Sequence, residues 1–223
     1  MKFRHELKQE ITYADMLVLI QRLKTVMQKD SHAIDGRYEI RSLYFDNLND
    51  KALKEKIEGV NIREKFRIRY YNRDTSLINL EKKSKINGLC LKESVSLTID
   101  QTEAIINGDY TWMADSKKSL IREFYIKMKQ EGLHPKTIVD YIREPFIFGP
   151  GNVRITLDYN IRTGISYVDF LNNSCVTVPI ANNPIILEIK WDEYLPDIIK
   201  DIIQLNSGRI GAFSKYAACR MYN

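Results

Sequence analysis

The chain has 223 residues, 44% of them hydrophobic and 28% charged, with a net charge of +5; a length and composition of this kind bury a sizeable core, as one large domain or two small ones. Cys90, Cys175 and Cys219 are far apart and odd in number, which reads as reduced thiols in a cytoplasmic protein. The opening MKFRHELKQEI lacks the apolar run of a signal peptide, and nowhere do about 18 apolar residues follow one another, so neither secretion nor a membrane span is expected.

Residues 3–10 read as a short strand, and MLVLIQRLKTVMQKD after Thr12-Tyr13-Ala14-Asp15 as an amphipathic helix. RYEIRSLYFDN is β-branched and aromatic and ends at Asp46-Asn47; LNDKALKEKIEG after it suits a short helix. REKFRIRYY, SLINLEKKSK and LCLKESVSLT follow as three strands at meander spacing, the last two joined by an Asn87-Gly88 turn. DQTEAIING, SKKSLIREFYIKMKQEGL and HPKTIVDYIREPF have helical period, with Pro135 placed to begin a helix. After Gly149-Pro150-Gly151 the strands resume with NVRITLDYN, SYVDFL, SCVTVPI and PIILEIKW. YLPDIIKDIIQLN then reads as amphipathic, and SGRIGAFSKYAACRMYN as a loop. No repeat or linker divides the chain, so a single domain over residues 1–223 with eight or nine strands is expected.

Successive side chains of a strand point to opposite faces, so parity sorts the charges. On REKFRIRYY, Lys65, Arg67 and Arg69 share one face; on SLINLEKKSK, Glu81, Lys83 and Lys85 do, opposite Ile78 and Leu80. Arg154, Thr156 and Asp158 share a face of NVRITLDYN, Glu188 and Lys190 of PIILEIKW, and Arg4, Glu6 and Lys8 of the first strand. A solvated face is the ordinary explanation for one such strand. Five strands that concentrate Arg and Lys are harder to explain that way, because cations on alternate positions, roughly 7 Å apart, repel one another unless an anion lies between them. A sheet closed with these faces inward would enclose a cationic tunnel and pack its apolar faces against the helices. Guanidinium forks and ammonium groups match a chain of phosphates, and Glu188 among them suits a hard divalent cation. A solvent-exposed basic sheet, with Tyr70 and Tyr71 as stacking groups, would instead suit nucleic acid; inward cations exclude it.

The ordered pieces RHELK, SLYFDN, KFRIRYY, LEKKSK, LHPKTIVDYIREPF, VRITLDYNIR, LEIKW and FSKYAACR resemble the VTC-type polyphosphate polymerase domain of the triphosphate tunnel metalloenzymes. The resemblance implies an α+β fold, an eight-stranded antiparallel β-barrel tunnel with helices outside. It also implies ATP, triphosphate or polyphosphate as substrate, Mn²⁺ or Mg²⁺ as cofactor, and transfer of the ATP γ-phosphoryl group to a growing polyphosphate chain. Matched by motif, Lys8, Lys65, Arg67, Arg69, Lys83, Arg154, Lys190 and Lys215 would bind phosphates, Lys92 and Arg162 would also line the tunnel, and Glu188, with Glu6 and Glu81, would hold the metal. Arg143 reads first as a structural ion pair, and Tyr44 and Asp46 as supports of the site. Hydrolytic relatives begin with ExExK; here Arg4 stands in place of one carboxylate, which favours the polymerase branch. A metal-dependent triphosphatase and a non-catalytic sensor of polyphosphate or inositol phosphates are the alternatives, and a membrane-protein partner is compatible with all three.

Overall fold

The computed structural model describes residues 3–205 and 209–221; positions 206–208 and 222–223, within the expected terminal loop, and the first two residues lie outside them. In chain order the elements are β1 (His5–Ile11), α1 (Tyr13–Val26), β2 (Gln28–Lys29), β3 (Tyr38–Asp46), α2 (Lys51–Ile57), β4 (Ile62–Tyr71), β5 (Asp74–Ile86), β6 (Leu89–Leu97), α3 (Ile99–Ile106), α4 (Ser119–Glu131), β7 (His134–Phe148), β8 (Val153–Gly164), β9 (Thr177–Pro179), β10 (Ile185–Trp191), α5 (Asp197–Ile202), β11 (Arg209–Ile210) and α6 (Lys215–Arg220). All the strands belong to one antiparallel sheet, whose main path runs β11-β1-β10-β8-β7-β3-β4-β5-β6.

The sheet curls, but it is not the closed barrel expected. Among the described residues β1 and β6 share no ladder: a single bridge joins Arg4, just before β1, to Cys90 of β6, with two backbone hydrogen bonds of 3.3 Å. The fold is α+β, an open curved sheet with α1, α3, α4 and α5 packed on its outer side and α2 and α6 bordering its inner side.

Parity explains the layering. Phe66, Ile68 and Tyr70 of β4 lie in a buried cluster with Phe45, Leu80, Ile121 and Phe124; the Phe124 ring of α4 stacks on Phe66 at 5.0 Å. Ile155, Leu157, Leu187 and Ile189 form a second cluster with Leu19 and Leu23 of α1 and Ile199 of α5. Thr12 caps α1, its hydroxyl accepting from the Asp15 amide while Asp15 accepts from the Thr12 amide.

HPKTIVDYIREPF is strand, not helix. Central in the sheet between β3 and β8, β7 buries residues on both faces, and such a segment loses the alternation that marks a strand. Its prolines sit where no amide is needed: Pro135 at a register shift, and Pro145 in the gap between the β3 ladder, which ends at Arg143, and β2, which begins at Phe146. SYVDFL forms a single 3₁₀ turn over Tyr167–Asp169, and SCVTVPI contributes only the short β9. The terminal stretch expected as loop contains β11 and α6. No helix among the described residues is long and apolar enough to cross a membrane.

Candidate functional site

The inward faces of the curled sheet bound a cavity of about 710 Å³, closed on one side by residues 211–215. Lys65, Arg67 and Arg69 reach it from β4, Glu81 and Lys83 from β5, and Lys92 from β6. From the other side come Glu6 and Lys8, then Arg154 and Thr156, then Glu188 and Lys190, with Lys215 at the start of α6.

Arg162 is not brought there; its guanidinium donates to the Thr177 hydroxyl at 2.8 Å and carbonyl at 2.6 Å. The reason is a β-bulge. Asp140 pairs with Arg162 and Ile142 with Tyr159, so Asn160 and Ile161 face Tyr141 alone. Asn160 takes the left-handed conformation, φ +51°. One extra residue reverses the parity beyond it, turning Ile161 into the cluster that holds Tyr44, Tyr141 and Tyr216, and Arg162 away.

The cations fall into two groups. One group is neutralised. Lys8 lies 2.8 Å from Glu6 and 3.6 Å from Glu188, and Lys190 lies 2.9 Å from Glu188 and 3.5 Å from Glu6. Arg143 grips Asp158 at 2.6 and 2.7 Å and Glu188 at 3.0 Å, and Lys215 reaches Asp158 at 2.5 Å. Arg143 is thus both an ion-pair residue and part of the cavity wall. Burial opposes ionisation of Glu188, yet Lys190, Lys8 and Arg143 hold its carboxyl well below the usual range. Arg67 and Lys92 do the same to Glu81, at 2.8 and 3.0 Å.

The second group has no carboxylate. Among the described residues no acid pairs with Lys65, Arg69 or Lys83; Arg69 instead donates to the Ser42 hydroxyl at 2.8 Å and the Tyr141 hydroxyl at 3.0 Å. Burial, reinforced by Arg67 and Lys190, pushes the Lys83 ammonium well below its ordinary pKa. Burial pushes Lys65 down too, with Lys8 and Arg67 adding to it and Tyr44 opposing. Buried like charges without a counter-ion are costly, and an anion between them removes the cost.

The chain matches the family model of the VTC domain over residues 3–222. It belongs to the VTC domain family. Within the triphosphate tunnel metalloenzymes, this makes it a member of a triphosphate-binding family. Among solved structures, a candidate adenylate cyclase from Bacillus halodurans is 12% identical with a TM-score of 0.51, over 85% of this chain and 80% of that one. A Pyrococcus horikoshii OT3 protein is 14% identical with a TM-score of 0.48 over 98% of both chains. The Mimivirus capping enzyme triphosphatase is 10% identical with a TM-score of 0.43, over 90% of this chain and 89% of that one. At such identities the Bacillus likeness speaks to the fold alone. No curated protein matches the chain.

Triphosphate tunnel enzymes depend on a divalent metal. In this VTC domain Glu6 and Glu188 share Lys8 and Lys190 as partners, so their carboxylates converge. Mg²⁺-like ions take one or two carboxylates together with substrate phosphates and water, and that pair fits. Glu81 does not join them: no group of three or more His, Cys, Asp or Glu suited to a metal exists among the described residues. The sequence reading missed Tyr141 of the VTC domain, whose hydroxyl holds Arg69. Strand parity through YIR would have placed it beside Arg143. The Thr156 hydroxyl, buried in the cavity wall opposite Glu188, has no hydrogen-bond partner among the described residues.

Proposed function

We propose that this VTC domain binds ATP and polyphosphate in the cavity and transfers the γ-phosphoryl group of ATP to the end of a polyphosphate chain. The observation that carries the reading is the juxtaposition of unneutralised Lys65, Arg69 and Lys83 with the convergent Glu6 and Glu188. The first set takes the phosphate oxygens. The carboxylate pair would hold Mn²⁺ or Mg²⁺, which neutralises charge on the transferring phosphate when bound.

Little covalent work is left to the protein. A terminal oxygen of the acceptor chain bonds to the γ-phosphorus as the bond to the β,γ-bridging oxygen breaks, and ADP leaves. Fixed cations that neutralise the developing charge in a confined site are the main source of acceleration in phosphoryl transfer. Arg4 favours transfer over hydrolysis. It stands where hydrolytic relatives carry a carboxylate, and its guanidinium is engaged by Asp192 at 2.9 Å.

The deciding experiment incubates the purified protein with ATP and Mn²⁺ and follows polyphosphate length. Long polyphosphate together with ADP supports the reading. Phosphate release without chain growth would make the protein a triphosphatase, and tight binding without turnover, unchanged in Glu188→Gln, a sensor. Lys65→Gln and Lys83→Gln are expected to lose polymer formation by at least about a hundredfold, as removal of charge-stabilising donors does in other enzymes.

A further inference from the structure

A second cavity, of about 430 Å³, opens beside the first at the open end of the β4–β5 hairpin, by the β5–β6 turn and the C-terminal end of α2. The two share Lys56, Arg63 and Lys85 in their walls. Among the described residues no carboxylate lines the second. Lys56 and Lys85 have no ion-pair partner among the described residues, and Arg63 donates to the Val60 carbonyl, which anchors its guanidinium. The Lys56 ammonium is pushed down to about 8, by burial first and then by Arg63, Lys8, Lys65 and Lys85.

The strand register makes this cluster a continuation of the cavity. Arg67 pairs with Glu81, Lys65 with Lys83, and Arg63 with Lys85, so each step of two residues adds one more inward rung. At a strand rise of about 3.3 Å per residue, the cations from Arg69 to Arg63 span roughly 20 Å. Three phosphorus atoms joined by two bridging oxygens are well short of that. The rungs therefore outrun a triphosphate, and the extra positive charge lies where the next phosphates of a longer chain would emerge.

We infer that Lys56, Arg63 and Lys85 form a second anion subsite, which holds the part of a linear polyphosphate chain that extends beyond the triphosphate-sized site. The inference rests on the phosphate-binding reading above. It adds a preference for long chains, set by residues outside the proposed reaction centre.

The test compares tripolyphosphate with a size-fractionated linear polyphosphate several times its length, by calorimetry in physiological salt, where the screening length of about 8 Å limits remote effects. The natural protein should bind the longer chain more tightly. The double variant Lys56→Gln/Lys85→Gln should lose about tenfold of that preference, the worth of one charge-assisted contact, and lose less in tripolyphosphate affinity, since both residues also border the first cavity; that retained binding reports that it is folded. Lys85→Arg should retain the preference. An unchanged ratio of the two affinities in the double variant would overturn the subsite while sparing the triphosphate site; failure of the natural protein to bind either ligand would overturn both. Displacement of long polyphosphate by single-stranded RNA of equal charge at equal concentration would also overturn it, since the groove would then select charge and not a phosphate chain.

Discussion

Arg67 Nη1 donates to the Tyr44 hydroxyl at 2.9 Å while the Lys65 ammonium lies 5.4 Å from the centre of the same ring. The phenol oxygen is thus an acceptor for the protein, and its own hydrogen has no protein acceptor among the described residues. Burial raises the Tyr44 pKa, but Arg67, Lys65 and Arg69 outweigh it and bring the phenol to about 7. An incoming phosphate reverses that balance and takes the phenolic hydrogen. A phenolate absorbance titrating near pH 7 is expected in the free protein, lost in Tyr44→Phe and suppressed by tripolyphosphate. Tyr44→Phe should weaken tripolyphosphate binding about tenfold, since a hydrogen bond to a charged group contributes about 1.5–3 kcal/mol.

Ligand binding should take up protons. The pKa values of Lys65 and Lys83 lie below the ordinary lysine value because burial and neighbouring cations disfavour the charged form. A bound polyanion restores it. Calorimetry at pH 8 in buffers of different ionisation enthalpy should show net uptake, with affinity falling as pH rises. Without ligand the sign is opposite: the unfolded chain binds more protons at these groups, so stability rises with pH up to the ordinary lysine pKa of about 10.4. Proton release on binding would contradict this.

Acid should remove the stability held by the paired carboxylates. Glu81, Asp158 and Glu188 all titrate below their ordinary values because adjacent cations outweigh burial. Groups with depressed folded-state pKa values contribute fully above the unfolded values of about 4, and lose the contribution as pH falls through the folded ones. Glu188→Gln leaves Lys8, Lys190 and Arg143 short of one counter-charge and should cost about 3–5 kcal/mol at pH 7. Urea unfolding should show the gap from the natural protein shrinking as pH falls below 4.

Thr156→Val separates folding from binding. Its hydroxyl is buried without a partner among the described residues, which costs about 1–3 kcal/mol, and valine nearly preserves the shape. The variant should melt higher than the natural protein without ligand and bind tripolyphosphate more weakly. A lower melting temperature would show the hydroxyl to be satisfied.

The cationic wall was legible because β4 has one buried apolar face and one face on the cavity, so Phe66, Ile68 and Tyr70 alternate cleanly with Lys65, Arg67 and Arg69. The motif match misplaced Arg162, because a bulge at Asn160 turns it off the face that Arg154, Thr156 and Asp158 share, and no pattern in NIR announces it. β7 was illegible for the opposite reason: buried on both sides, it shows no alternation, and Pro135 suggests a helix start when the neighbouring strands are not known. Closure was over-read. Inward charge requires a curled sheet, but local sequence carries nothing about whether its edges pair along their length.

The Arg4–Cys90 contact gives that edge a mechanical meaning. A polymer in a closed tube leaves only by its ends; a polymer in a trough fastened at one point can also leave sideways. Among the described residues, two backbone hydrogen bonds, each contributing about 1 kcal/mol, are the backbone fastening between this edge and β6. The passage is a slot with a clasp, and the residue that forms the clasp, Arg4, stands just before the first strand and is itself held by Asp192.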